Sequence, residues 1–237
     1  MAEVVADVIA RMESLLLPLA RNDGVACFTR LYLTVTRGVQ ERLAQAAFDD
    51  PTFLSALDVR FADLFLAAAE ARAIPRAWAP LFESRARRGI APLQFALAGM
   101  NAHINRDLPI ALVETCREQG VSLADGSPQH ADYLRVNALL ASVESRIKQE
   151  YLTGFLHDLD RLVHRVHRLD DVAAMWNVVR ARDAAWTNAQ ALWALRDEPE
   201  LSARYLTTLD RTVGLAGRGL LVPAETRLGR LARLLRG

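Results

Sequence analysis

The spacing of apolar residues along the chain predicts one amphipathic helix after another and no strand. Val4 to Ala20 forms the first, closed by the turn at Asn22-Asp23-Gly24. Val25 to Phe48 carries Phe28, Leu31, Tyr32, Val35, Val39 and Leu43 on one stripe. Its β-branched Thr34, Val35 and Thr36 lower the intrinsic helix preference there. Asp50-Pro51 opens a third helix, as proline in a first turn allows, and the pattern runs to Arg72. This helix is apolar on two sides: Phe53, Leu57, Phe61, Leu64 and Phe65 on one, Val59 and Leu66 on the other. Such a helix belongs in the middle of a bundle. Asp58 lies at the border of its main stripe, and Asp63 lies well away from it.

Ile74-Pro75 breaks the chain, and Arg76 to Arg88 reads as a short helix bearing Trp78, Phe82 and Glu83. Arg85, Arg87 and Arg88 read as a solvated face. Past residue 109, Ile110 to Gln119 is helical, and Gly120 to Gln129 is the clearest loop in the chain. That loop suits an ordinary connection, a lid or an internal division. Ala131 to Thr153 follows as a long helix with Val136, Leu139, Leu140 and Val143 on its apolar face and Asn137 and Glu144 at the border. His157, Asp160, His164 and His167 have ligand-like spacing. Leu159, Leu162, Val163, Val166 and Leu169 take the opposite face, so the four read as solvated. Val172 to Arg196 has a core stripe of Val172, Met175, Trp176, Val179 and Trp186, into which Asp183 falls. Asp197-Glu198-Pro199 starts a helix expected to reach about Gly214. The glycine-rich run from Gly214 to Gly219 then reads as a helix end and turn, because no strand precedes it as a phosphate loop requires. Ala224 to Arg236 makes a short arginine-lined tail helix.

One stretch departs from this regular patterning. Between Phe95 and Pro109, an apolar helix carries two amides, an imidazole, a guanidinium and a carboxylate within the seven residues from Asn101 to Asp107. Each polar group buried without a partner costs about 1–3 kcal/mol, so the stretch marks a place. His103 and Asp107 share one face at i, i+4, and Asn101 and Asn105 share another. Pro109 is expected to end the helix near Leu108, because proline disfavours α geometry in its predecessor. Asp107 would then sit at the negative end of the helix dipole, in need of a cation or a donor.

Composition narrows the field. With 237 residues, 51% of them hydrophobic, the chain can bury a large core. A formal net charge of +1 gives no general pull toward nucleic acid or anionic membranes. Among the basic residues only Lys148 is lysine, a bias that looks like high-GC coding. Cys27 and Cys116 make no disulfide framework and read as small buried hydrophobes. No apolar run reaches the roughly 18–20 residues of a membrane span, and the acidic start does not suit a signal peptide. These features lead to the expectation of a soluble, cytoplasmic protein, compatible with a homo-oligomer.

The segments Pro92-Leu-Gln-Phe-Ala-Leu-Ala-Gly-Met-Asn-Ala-His-Ile-Asn-Arg-Asp-Leu-Pro109, Leu57-Asp-Val-Arg-Phe-Ala-Asp63, Ala77-Trp-Ala-Pro-Leu-Phe-Glu83 and Ala181-Arg-Asp-Ala-Ala-Trp186 carry a family resemblance. With them the chain resembles a bacterial, mainly actinobacterial, family known as domain of unknown function 5995. The resemblance covers most of the chain. It implies a single all-helical domain and no established activity.

The residues themselves suggest a single-domain, all-α multi-helix bundle over 1–237, with a polar-lined central helix at about 95–108. Asp58, His103, Asp107, Glu144 and Asp183, on different helices, make a candidate metal-ligand set. One imidazole among carboxylates favours iron, manganese or magnesium over zinc. Such a metal would support oxygenase- or hydrolase-type chemistry on a small organic molecule, with Asn101, Asn105 and Arg106 as candidate catalytic groups. The Glu-x-x-His pair of ferritin-like di-iron proteins is absent, and no nucleotide, flavin or Gly-x-Ser-x-Gly motif is present. The competing expectation is a non-catalytic binding or interaction protein, in which arginine–carboxylate pairs through Arg106 or Arg180 satisfy the buried acids.

Overall fold

A computed structural model describes residues 2–71, 73–140 and 178–223. The protein is all-helical, a single domain with no strand among the described residues. The helices are α1 (Ala2–Leu16), α2 (Gly24–Ala44), α3 (Pro51–Glu70), α4 (Ala79–Ser84), α5 (Pro92–Ala102) and α6 (Leu108–Gln119), with a π-helical turn, His103–Asp107, between the last two. Residues 128–140 are helical and form α7; α8 (Val178–Ala194) and α9 (Pro199–Leu220) follow.

Local chemistry sets most of the boundaries. Asp23 accepts from the Val25 and Ala26 N–H groups at 2.8 and 3.3 Å and starts α2. Asp50 accepts from the Phe53 N–H at 2.9 Å, with Pro51 in the first turn of α3. Gly120 closes α6 in the left-handed region, at φ 64°, while the Val121 N–H bonds back to the Cys116 carbonyl. The helix bearing Trp78 is shorter than its pattern suggests, because Arg76 to Trp78 form a turn ahead of Pro80.

Two features of the central helix differ from expectation. Pro109 does not end it. In an α register the proline ring would press on the Asn105 carbonyl and leave that acceptor empty. The preceding turn widens instead, so that the Leu108 N–H reaches the His103 carbonyl, and the helix continues into α6. Asp107 therefore lies mid-helix, away from any dipole end. The glycine-rich run is not a helix end either: α9 continues to Leu220. Gly214 packs so tightly on the turn before α4 that a Cβ there would lie 2.3 Å from the Arg76 carbonyl oxygen. Gly99 plays the same part for α5, where a Cβ would lie 2.3 Å from the Phe28 ring.

The core has two main bodies. One gathers α1, α2, α3, α4 and α5 around Phe28, Phe65 and Trp78; the other gathers α3, α6, α7 and α8 around Phe53, Leu112, Tyr133 and Trp186. Phe61 and Met100 pack against both, so the π-turn sits where the two bodies meet. Cys27 and Cys116 are buried, as expected. Among the described residues no helix is long and apolar enough to cross a membrane.

Candidate functional site

The widened turn turns His103 and Asp107 inward together. Asp107 is fully buried and accepts three hydrogen bonds. Trp78 Nε1 donates to Oδ2 at 2.9 Å, Arg106 Nη1 donates to Oδ1 at 2.6 Å, and His103 Nδ1 lies 3.3 Å from Oδ2. A carboxylate in that position selects the imidazole tautomer with its proton on Nδ1. Arg106 is fixed in turn by Asp210 of α9, whose Oδ1 accepts from Nε at 3.1 Å. The Asp210 carboxylate also accepts from the backbone N–H groups of Arg76 and Ala77, both at 3.0 Å. One acid on α9 thus holds the guanidinium that grips Asp107 and the turn that presents Trp78.

On the other side of the imidazole the bonding stops. His103 Nε2 and Asp58 Oδ2 are buried and have no hydrogen-bond partner among the described residues, and Tyr32 Oη has only the Thr36 hydroxyl beside it. Phe61 stacks flat on His103, with centroids 3.4 Å apart and planes 4° apart, and Tyr32 meets the imidazole edge-on at 4.4 Å. Asp58 is one turn before Phe61 on α3, near enough to Tyr32 for its charge to oppose ionisation of the phenol. Burial, and after it the Asp58 carboxylate, hold the Tyr32 phenol well above its usual range. Burial alone lifts the Asp58 carboxyl to about 7. Burial pushes His103 down, and Asp107 partly offsets this, so the imidazole is neutral near pH 7. Asp58 and Phe61 keep part of their surface exposed. Thr115 Oγ1, two turns along α6, is a further buried atom without a partner.

The residues singled out in the sequence meet different fates. Asn101 and Asn105 dock a helix: Asn101 Nδ2 donates to the Val213 carbonyl at 2.9 Å, and Asn105 Nδ2 donates to Asn101 Oδ1 at 3.1 Å. Arg106 pairs two acids, as the arginine–carboxylate expectation had it. Asp183 is exposed and does not join the core stripe, because α8 buries Val178, Arg182, Ala185, Trp186 and Ala189 instead. A rotation of about 100° per residue carries Asp183 past that face, and Val179 is outside it too. Glu144 and the His157, Asp160, His164 and His167 group lie outside the described residues. Among the described residues no three His, Cys, Asp or Glu side chains converge as metal ligands, so Asp58, His103 and Asp107 do not form the expected cluster. Tyr32, Trp78 and Asp210 were missed. Only Trp78 left a signal, as a lone indole ahead of a short helix.

A second buried polar group joins α7 to α8. Arg182 donates to Asn137 Oδ1 at 2.6 Å and to the Tyr133 carbonyl at 2.8 Å, with its guanidinium 4.0 Å from the Tyr133 ring centroid. The Tyr133 hydroxyl returns a bond of 2.7 Å to the Arg182 carbonyl. Asp132, fully buried beside it, accepts from the Asp49 and Asp50 N–H groups and from Arg135, tying α7 to the start of α3. In the loop before α7, Asp125 accepts from Trp186 Nε1 at 2.8 Å and from Gln190 at 2.9 Å.

No curated protein and no solved structure matches the chain. A family model does, over residues 5–223, a span that includes the π-turn, the Asp58 helix and the α9 clamp. The chain therefore belongs to the family of unknown function DUF5995.

Proposed function

We propose that the chain is an enzyme acting on a small organic molecule at the interior face formed by Tyr32, Asp58 and His103. One observation carries this reading. Two buried polar atoms, Asp58 Oδ2 on α3 and His103 Nε2 on the π-turn, end without partners among the described residues, while Asp107 behind the imidazole is fully bonded and Tyr32 of α2 meets that imidazole edge-on at 4.4 Å. Each unpartnered atom costs about 1–3 kcal/mol, and a ligand would supply what the fold leaves out. In this arrangement His103 Nε2 is the general base, and Asp107 orients the ring and stabilises the imidazolium that forms. Tyr32, un-ionised at neutral pH, and Asp58, near half-protonation there, are within the group able to return a proton.

A second reading, a divalent metal held by the same atoms, has its own support. Metal-binding imidazoles are oriented by a carboxylate on their other nitrogen, as Asp107 orients His103. His103 Nε2, buried and without a partner among the described residues, would supply the nitrogen ligand, with Asp107 behind it.

The test is a thermal-shift screen of small molecules, with and without added divalent metals, on the wild type and on His103→Gln. It is run beside elemental analysis of both. A compound that stabilises the wild type and binds His103→Gln at least tenfold more weakly, with turnover, supports the enzyme reading. Near-stoichiometric metal in the wild type alone selects the metal version. Binding without turnover assigns a binding protein instead, and equal behaviour of the two proteins toward every compound and metal overturns the site.

A further inference from the structure

Asp107 offers two oxygens to three donors, and their division decides what His103 can do. Arg106 Nη1 takes Oδ1 at 2.6 Å, which leaves Oδ2 to Trp78 Nε1 at 2.9 Å and His103 Nδ1 at 3.3 Å. The contact with the imidazole is the longest of the three. The terminal torsion of an aspartate is soft, so a carboxylate that loses Arg106 or Trp78 is free to swing and draw Oδ2 away from the ring.

Both holds trace to one residue of α9. Asp210 Oδ1 accepts from Arg106 Nε at 3.1 Å and from the Ala77 N–H at 3.0 Å, and Oδ2 accepts from the Arg76 N–H at 3.0 Å. A guanidinium is a rigid planar fork, so fixing Nε fixes the direction in which Nη1 points. Arg76 and Ala77 are the two residues before Trp78, so fixing their N–H groups fixes the backbone that presents the indole. Gly214, one turn along α9, lets the helix lie close enough for this, against the Arg76 carbonyl oxygen. Asn101 adds a further tie at the Val213 carbonyl.

We infer that Asp210 is a positioning residue: from α9 it holds both donors that aim Asp107 Oδ2 at His103 Nδ1, and so keeps the imidazole proton on Nδ1 and Nε2 bare. The inference rests on the reading of Nε2 as the working atom of the site, but its test needs no ligand. A proton moved to Nε2 would end the use of that atom as a base or as a ligand.

The tautomer is read directly from the ring-nitrogen signals in ¹⁵N NMR, at a single pH of about 8, where an ordinary imidazole is neutral. His103→Gln identifies the His103 signals among the five histidines. In the wild type Nδ1 should be pyrrole-like and Nε2 pyridine-like. Asp210→Asn keeps the size but gives up one acceptor oxygen and the charge facing Arg106, and should move the two signals toward each other, as a mixture of tautomers does. Arg106→Lys keeps a cation for Asp107 without the fork that reaches Asp210, and should do the same. Arg182→Ala weakens the fold at the separate α7–α8 network and should leave the signals in place.

If folded Asp210→Asn keeps the wild-type signals, Asp210 only docks a helix and the inference falls while the reading of His103 stands. Where Asp210→Asn does not fold, the same result in Arg106→Lys overturns it. It also falls if Arg182→Ala moves the signals as far. A wild-type proton on Nε2 overturns both the inference and the role given to Nε2. A ligand screen that finds nothing, beside the expected tautomer shift, overturns the site reading and leaves the positioning role supported.

Discussion

Where α7 meets α8, Tyr133 and Arg182 bond each other in both directions and Asn137 takes a further donor from Arg182, so the group closes on itself. Around His103, the Asp107 side is equally closed, but Asp58 Oδ2 and His103 Nε2 reach no partner among the described residues, and Tyr32 Oη reaches only the Thr36 hydroxyl. Both regions are buried, aromatic and built across helices. What separates them is how they end. A closed group holds helices together, because it returns in hydrogen bonds what its burial costs. An open group weakens the fold, and that weakness is characteristic of sites that await a ligand. The π-turn sharpens the contrast: such widened turns cluster at functional positions, and this one sits under the open group only.

The largest effect is expected in the closed group. Arg182→Ala removes two charge-assisted hydrogen bonds and a guanidinium over the Tyr133 ring, leaving Asn137 Oδ1 part-buried without that donor and the Tyr133 carbonyl without its second one. We expect a loss of about 3 kcal/mol, from the strength of such bonds and contacts, read as a lower urea midpoint. Binding at the open group should not change. A loss below about 1 kcal/mol would mean that closure contributes little, and the contrast would collapse.

Asp58 gives the next largest effect, with the opposite sign. Its folded carboxyl titrates at about 7, whereas an unfolded aspartate titrates near 3.9. Between about pH 4 and pH 7 the folded protein keeps a proton that the unfolded chain has released, so stability falls as pH rises through that window. Above it the full cost of a buried carboxylate is present. Asp58→Asn removes this dependence. The variant and the wild type should be alike near pH 4, and at pH 8 the variant should be more stable by on the order of 3 kcal/mol. Denaturation curves at both pH values, without ligand, measure it. A wild type whose stability is flat across the window would show that Asp58 has a partner and that the group is closed after all.

Much of the fold was legible because it depends on local pattern. The caps at Asp23 and Asp50, the stripe of α2 and the two-sided apolar α3 can each be read from spacing and turn chemistry. The failures have specific causes. A proline rule suited to α geometry stopped the central helix at Leu108, and the π-turn that accommodates Pro109 has no signature in apolar spacing. Gly214 looked like a terminus because its reason for being glycine, the Arg76 carbonyl oxygen, is far away in sequence. The site was half legible. His103, Asp107 and Asp58 stood out as polar groups on apolar faces, whereas Asp183 was placed inside a stripe that in fact turns on Arg182. Tyr32 passed as core because a phenol on an apolar stripe looks like a ring. Asp210 acts through Arg106 from another helix, and only tertiary packing brings them together.

Tyr32→Phe is the smallest change and the finest test of the contrast. The ring keeps its contacts with Phe28, His103 and Phe61, at 5.7, 4.4 and 5.9 Å, and only a buried hydroxyl is removed. A tyrosine in a closed network would lose about 1–3 kcal/mol on such a change. Here at most a weak contact with the Thr36 hydroxyl is lost while a desolvation cost is relieved, so stability should change by less than about 1 kcal/mol. The same substitution at Tyr133, whose hydroxyl bonds the Arg182 carbonyl at 2.7 Å, should lower it. Urea denaturation of the two variants side by side compares an open hydroxyl with a closed one at matched chemistry. If both lose stability equally, Tyr32 has a partner in solution and the open group is not open.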